Sequence, residues 1–291
     1  MTLKEVYRKI LEQAQTIYSL SEATTITDWI FENVASIQRA DVIKTPNLEL
    51  SQSILAELDN RIHQLLLHKP IQYILGEAWF YDMKLKVNEN VLIPRPETEE
   101  LVGMIITNNQ QNSDIKILDI GTGSGCIPIA LKKHLPDAVI TSIDFSEGAI
   151  LAAKENASIQ NTAIQFIHVD FLDESGWTSF PKFDVIVSNP PYIPLNEKEK
   201  MDKNVTAYEP GMALFVPDND PLLFYKKIAA FGKKHLNPEG KIYLETHEDY
   251  AKETAAAFTA LQYEHVVIKE DMFGKERMVI AAPKSPKGTL E

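Results

Sequence analysis

Ile115-Lys116-Ile117-Leu118-Asp119-Ile120, followed at once by Gly121-Thr122-Gly123-Ser124-Gly125 and then Cys126-Ile127-Pro128-Ile129-Ala130-Leu131, reads as strand, glycine turn and helix. Glycine adopts positive φ without steric cost and lets the backbone come close to a ligand, and a helix opens with N–H groups that its own carbonyls leave unsatisfied. Such a turn also serves simply to seat a helix on a strand, so the loop alone points either way. The next strand, Val139-Ile140-Thr141-Ser142-Ile143, ends in Asp144. That is the spacing at which an acidic side chain grips ribose hydroxyls in nucleotide-binding sheets. Gly121, Thr122, Gly123, Ser124, Gly125 and Asp144 are therefore the expected walls of a nucleoside pocket.

Downstream, the apolar strand Phe183-Asp184-Val185-Ile186-Val187-Ser188 runs into Asn189-Pro190-Pro191-Tyr192. Two consecutive prolines donate no backbone hydrogen bonds and restrict the chain ahead of them, which leaves the carbonyls there free to accept from a ligand. Asn189 adds a side-chain carbonyl and Tyr192 a flat face. A tip of this composition suits a planar amide or amine; a proline-rich turn after a strand is the plainer reading. Open α/β sheets bind ligands at the carboxyl ends of strands flanking the point where strand order reverses. With 115–120 as the first strand and 183–188 as the fourth, the glycine loop should face the Asn189 to Tyr192 tip. The rest alternates as a doubly wound, mostly parallel α/β sheet: helix 147–160, strand 164–169, helix 221–235, strand 241–245 and helix 248–260, closed by strands 263–269 and 277–282 as an antiparallel pair. Asp170-Phe171 ends the third strand, where a carboxylate and a ring suit an adenine and where a simple turn would look the same. Asp218 to Asp220 read as a cap for the following helix.

Ahead of the sheet, residues 3–18, 27–38 and 48–68 carry apolar positions at helical spacing. Ile54, Leu58, Ile62, Leu65 and Leu66, for example, make one stripe on an otherwise polar helix. The expected organisation is a helical bundle over 1–70, a β-hairpin linker over 71–94 turning at Asn88-Glu89-Asn90, a catalytic domain over 95–284 and a tail over 285–291. Arg95-Pro96-Glu97-Thr98 opens a helix; proline suits the first turn, and capping of the positive end explains Glu97 and Thr98.

The 291 residues are 44% hydrophobic, enough for an α/β core and a smaller unit. A formal net charge of −12 works against a sequence-independent grip on nucleic acid and would steer in a basic protein partner. No stretch approaches the ~20 apolar residues of a membrane span, and residues 1–20 form a charged amphipathic pattern rather than a signal peptide, so the cytoplasm is expected. The lone Cys126 excludes an internal disulfide, and the seven histidines show no ligand spacing, so no metal is expected.

The Asn189-Pro190-Pro191-Tyr192 tip, the glycine loop and Asp144 together resemble the amino-methyltransferases, which use S-adenosylmethionine to methylate a planar nitrogen of adenine, cytosine or glutamine. Gly76-Glu77-Ala78-Trp79-Phe80-Tyr81, Ile93-Pro94-Arg95-Pro96-Glu97-Thr98-Glu99-Glu100-Leu101-Val102, Tyr208-Glu209-Pro210 and the Gly274 to Arg277 ending make the chain similar, over nearly its whole length, to the release-factor glutamine methyltransferases. Leu244-Glu245-Thr246-His247-Glu248 departs from that family in lacking a glutamine shortly after its strand. The resemblance implies a Rossmann-like S-adenosylmethionine-dependent methyltransferase domain behind a small helical domain that docks a protein substrate. It implies S-adenosylmethionine held by Gly121 to Gly125, Asp144, Asp170, Phe171 and Asn189. It further implies transfer to the side-chain nitrogen (N5) of the glutamine in the Gly-Gly-Gln motif of peptide chain release factors. Asn189, Pro190, Pro191 and Tyr192 would then be catalytic and substrate-binding, with Arg95 and Glu97 orienting the entering glutamine and the cofactor's methionine end. An adenine-N6 methyltransferase acting on DNA or RNA is the alternative; the acidic charge and the absence of a basic reading domain weigh against it. Neither membrane nor direct nucleic-acid contact is expected, and the oligomeric state stays open.

Overall fold

A computed structural model describes residues 1–283, so the expected tail over 285–291 lies outside the described residues. The chain forms two compact units: Met1–Glu77 together with Asp202–Tyr208, and Ala78–Met201 together with the chain from Glu209 onward.

The first unit is helical, with α1 Leu3–Ala14, α2 Leu20–Ala35, α3 Arg39–Lys44, α4 Gln52–Leu66 and α5 Ile71–Leu75. Leu3, Ile10, Ile30, Phe31, Leu58 and Leu65 fill its core. Helix α2 starts at Leu20, well ahead of the apolar run from Thr27, because Ser19 and Glu22 form a reciprocal capping box. The short helix Lys203–Tyr208 belongs to this unit although it lies far along the chain; the Tyr208 hydroxyl donates to the Leu67 carbonyl at 2.8 Å.

The second unit opens with a hairpin of β1 Glu77–Phe80, whose first residue closes the main segment of the first unit, and β2 Met83–Lys86. Its turn is Tyr81-Asp82, both at positive φ, and not Asn88 to Asn90. Phe80, Met83 and Leu85 are buried in the core of this unit, so the hairpin packs as part of it. The main sheet contains β3 Lys116–Ile120, β4 Val139–Asp144, β5 Gln165–His168, β6 Phe183–Ser188, β9 Leu236–Glu245, β10 His265–Glu270 and β11 Glu276–Ala282. Its order is β10-β11-β9-β6-β3-β4-β5. Strands β5, β4, β3, β6 and β9 run parallel, and β11 lies antiparallel between β9 and β10. Two short strands, β7 Ile193–Pro194 and β8 Phe215–Val216, pair in parallel as a separate two-stranded sheet.

Strand order reverses between β3 and β6, where Ile120 stands opposite Ser188 on one side and Ile143 on the other. The Ser188 hydroxyl donates to the Ile120 carbonyl at 2.6 Å and ties the two strand ends together. The glycine loop and the Asn189 tip are thereby neighbours, as the strand assignment requires. Two further helices matter to the site: α6 Pro96–Asn109 and α7 Cys126–His134. Gly125 caps α7 at φ +82°, and a Cβ there would sit 3.1 Å from that of Ala153, so both conformation and space demand glycine. Asp218 and Asp220 do not cap the helix Leu223–His235; Asp218 accepts from the Asn196 N–H and Asp220 pairs with Lys226.

Candidate active site

At the switch point the second unit encloses a cavity of about 470 Å³. Its glycine-loop wall comprises Gly121, Thr122, Gly123 and Ser124, with Asp144, Phe145 and Ser146 after β4. Gly121 and Gly123 take φ of +83° and +53°. The Asp144 carboxylate accepts from the Gly123 N–H at 2.9 Å and the Ser146 N–H at 2.8 Å, so it braces the loop as well as facing the cavity. Burial raises its pKa, against the pull of those two N–H groups. Behind the loop, Asp119 is wholly buried and accepts from the Ser142 hydroxyl at 2.6 Å. Burial lifts its pKa to about 7; the Ser142 and Thr122 hydroxyls pull it back, and the Asp144 charge pushes it further up. Asp119 Oδ1, Thr122 Oγ1 and Ser124 Oγ are buried without a hydrogen bond of normal geometry. Unsatisfied buried polar atoms are costly, and the Thr122 and Ser124 hydroxyls, which line the cavity as Asp119 does not, are what a polar ligand would satisfy. Cys126 also lines the cavity, and burial raises its thiol to about 12, so it is inert there.

The opposite wall carries Asn189, Pro190 and Pro191. Here the polar groups are partnered. Asn189 Nδ2 donates to Thr98 Oγ1 at 3.0 Å, and that hydroxyl donates to Glu245 Oε2 at 2.6 Å. The Tyr192 hydroxyl donates to the other oxygen, Glu245 Oε1, at 3.3 Å. Glu245, at the end of β9, is 1% exposed, and burial raises its pKa to about 7 against the pull of Thr98, Arg277 and Tyr192. Thr98 is the third helical residue of α6, and Arg95, the residue before that helix, makes no side-chain cap. Capping therefore does not account for Thr98. Tyr192 is not among the residues lining the cavity; its ring packs beside the core and meets the His247 ring edge-on at 6.0 Å. The hydroxyl that fixes Tyr192, not a free face, is its visible contribution.

Arg95 lines the cavity and pairs with the buried Glu209 at 2.6 Å. The second Glu209 oxygen accepts from the Ile93 N–H at 3.2 Å, so one carboxylate clamps the strap Ile93-Pro94-Arg95. Glu97 does not reach the cavity wall; it stands near enough to Glu245 to raise that group's pKa. Asp170 is exposed at the rim and accepts from the Leu172 N–H, closing the turn after β5. Phe171 contributes to the wall, but its ring is stacked on Trp177 and edge-on to Phe231 inside the core. Phe145 offers the free aromatic face instead: it lines the cavity and is 58% exposed. Thr98, Glu245 and Phe145 escaped the sequence reading. Phe145 follows Asp144 directly, and Glu245 ends an apolar strand as Asp144 does, which is the signal that each carries.

The family described as Methyltransferase small domain matches residues 101–207, and that described as PrmC N-terminal domain matches residues 6–76. A release factor glutamine methyltransferase of Flavobacterium psychrophilum is 40% identical over 282 residues, covering 96% of this chain and 98% of the relative. The chain belongs to the release factor glutamine methyltransferase family. Another member, from Bacteroides thetaiotaomicron, is 39% identical over 94% of this chain and 97% of its own. Among solved structures, a methyltransferase from Pyrococcus furiosus superposes with a TM-score of 0.51 at 18% identity, covering 78% of this chain and 100% of that one, which supports the fold. As a member of this family the protein is an S-adenosylmethionine-dependent methyltransferase, and the glycine loop, with the unsatisfied Thr122 and Ser124 hydroxyls and the Asp144 carboxylate on the cavity wall, fits such a cofactor. Among the described residues no helix is long and apolar enough to cross a membrane.

Proposed function

We propose that this enzyme methylates the side-chain amide nitrogen of the glutamine in the Gly-Gly-Gln motif of peptide chain release factors. The observation that carries this is the fixed amide of Asn189: with Nδ2 committed to Thr98, Oδ1 is the end left to accept at the cavity wall. When bound, S-adenosylmethionine supplies an electrophilic methyl; the N–C bond forms as the C–S bond breaks, the sulfur keeps the electron pair as a thioether, and the nitrogen sheds one proton to solvent. An amide nitrogen is a weak nucleophile that no side chain deprotonates near neutral pH, so the protein's task is placement. Asn189 Oδ1 and the Pro190 carbonyl accept the two amide hydrogens, orient the nitrogen and stabilise the positive charge that grows on it. Pro191 keeps those acceptors from relaxing, while Tyr192 braces the tip from behind.

On the cofactor side, the glycine loop, Asp144, Asp170 and the backbone of Phe171 are the proposed holders, with Phe145 beneath the adenine. Arg95, on the cavity wall, flanks the entry of the glutamine, while Glu97 bears on the site through the Glu245 charge. The helical unit docks the protein substrate, and the enzyme works in the cytoplasm without membrane or direct nucleic-acid contact. A labelled-methyl assay comparing a purified release factor with DNA and RNA, followed by mass spectrometry, tests the substrate class: label should appear on one glutamine of the protein, and label in nucleic acid alone would return the adenine alternative. Docking is tested by comparing substrates. A Gly-Gly-Gln peptide should show a KM at least tenfold above that of the intact factor, and equal values would remove the docking role.

A further inference from the structure

We infer that Glu245 is a positioning residue that sets which way the Asn189 amide faces, acting through the hydroxyl of Thr98. This rests on the reading of Asn189 Oδ1 as the acceptor for the substrate amide. A threonine hydroxyl has one hydrogen to give. The carboxylate at 2.6 Å takes it, so the oxygen can only accept from Asn189, and the amide must turn its Nδ2 toward Thr98. Oδ1 is then presented to the cavity. The second carboxylate oxygen takes the Tyr192 hydroxyl, so one charge holds both ends of the Asn189 to Tyr192 tip.

The arrangement depends on Glu245 being ionised. If its carboxyl carried a proton and gave it to Thr98, the threonine hydrogen would be released toward Asn189 and the amide would turn over, offering Nδ2 where an acceptor is needed. The groups around Glu245 bear on that balance from every side. Thr98 and Glu97 face it from α6, Tyr192 from the tip after β6, Arg277 from β11 and Cys126 from α7. The Tyr225 hydroxyl, from the helix Leu223–His235, donates to its main-chain carbonyl at 3.2 Å. Arg277, itself paired with Asp271, is the cation that favours the ionised form, against Glu97 and burial.

The test uses the full-length enzyme with a release factor and saturating S-adenosylmethionine. Saturation keeps cofactor binding from limiting the rate. The parent kcat should fall on the acid side of neutrality. Glu245→Gln can turn an N–H₂ toward Thr98, so its kcat should be at least tenfold lower at pH 8 and should lose the acid limb, with calorimetric cofactor affinity within threefold. Thr98→Val should lose a similar factor, Thr98→Ser should regain most of it, and the two losses should not multiply in the double variant Thr98→Val/Glu245→Gln. If Asn189→Ala costs at least about a hundredfold in kcat while Glu245→Gln keeps the parent's rate and pH profile, the inference is overturned and the reading of Asn189 stands. If Asn189→Ala keeps the parent's rate, the reading of Asn189 fails, and this inference with it.

Discussion

The two ends of the cavity are built on opposite plans. At the glycine loop, Thr122 Oγ1 and Ser124 Oγ are buried without normal hydrogen bonds, with Asp119 Oδ1 unsatisfied behind them. At the Asn189 end the polar groups run in a continuous chain, from Asn189 through Thr98 to Glu245 and back to Tyr192. A site that binds a ligand strongly can leave polar groups for that ligand to satisfy, at a cost to the empty protein. A site that must orient a weak nucleophile needs its acceptors fixed beforehand, because an error near 1 Å costs about a hundredfold in rate. Binding and orientation are thus separated in space, and substitutions at the two ends should separate in their effects.

The largest effect belongs to the orienting end. Asn189→Ala should lower kcat at least about a hundredfold and leave S-adenosylmethionine affinity within about threefold, read by single-turnover kinetics and calorimetry; a loss confined to affinity would erase the contrast between the ends. Asp144→Ala should do the reverse, weakening cofactor binding by roughly 1.5–3 kcal/mol. Because Asp144 also braces Gly123 and Ser146, thermal stability should fall slightly as well. Unchanged affinity would remove Asp144 from the site.

Asp119→Asn addresses the unsatisfied end through its pH dependence. The folded-state pKa of Asp119, about 7, lies above its ordinary value, so the folded protein binds more protons than the unfolded chain between those pKa values. Its contribution to stability is present below the unfolded pKa and is lost as pH rises through about 7. The variant should therefore be more stable than the parent by about 1–3 kcal/mol at pH 8 and nearly equal to it at pH 4. Denaturant melts of the cofactor-free protein at the two values check this, and a uniform shift would refute it. The smallest effect is expected for Phe145→Ala, which removes an exposed ring: cofactor affinity should drop by roughly 1 kcal/mol with stability almost unchanged, and an unaltered calorimetric isotherm would take the ring away from the adenine.

What could be read in advance was what is local. The glycine loop, the strand-end Asp144 and the Asn189 tip each announce themselves within a few residues, and the switch-point rule brings them together. The bonds that hold the tip are of another kind: Thr98 and Glu245 are 147 residues apart, and a threonine early in a helix has a sufficient local explanation as a cap. Only the parallel pairing of β6 with β9 puts Glu245 beside Asn189. Phe171 has the composition of an adenine platform, but its ring is claimed by Trp177 and Phe231, which no spacing reveals. The hairpin turn was missed because Tyr81 and Asp82 adopt positive φ without a glycine to mark it, whereas Asn88-Glu89-Asn90 does form a turn, closed by the Val91 N–H donating to the Asn88 carbonyl at 3.1 Å, but one that joins no strand pair.

Asn189→Asp tests the central claim most directly. Aspartate keeps the size and an acceptor but, when ionised, cannot donate to Thr98, and it sets a second carboxylate within reach of the Glu245 network. Were the site to work by general base catalysis, the new carboxylate would preserve or raise the rate. If it works by placement, single-turnover rates should fall at least about a hundredfold below the parent's at each pH from about 6 to about 9, with cofactor affinity little changed. Rates within about threefold of the parent's across that range would contradict placement as the source of catalysis.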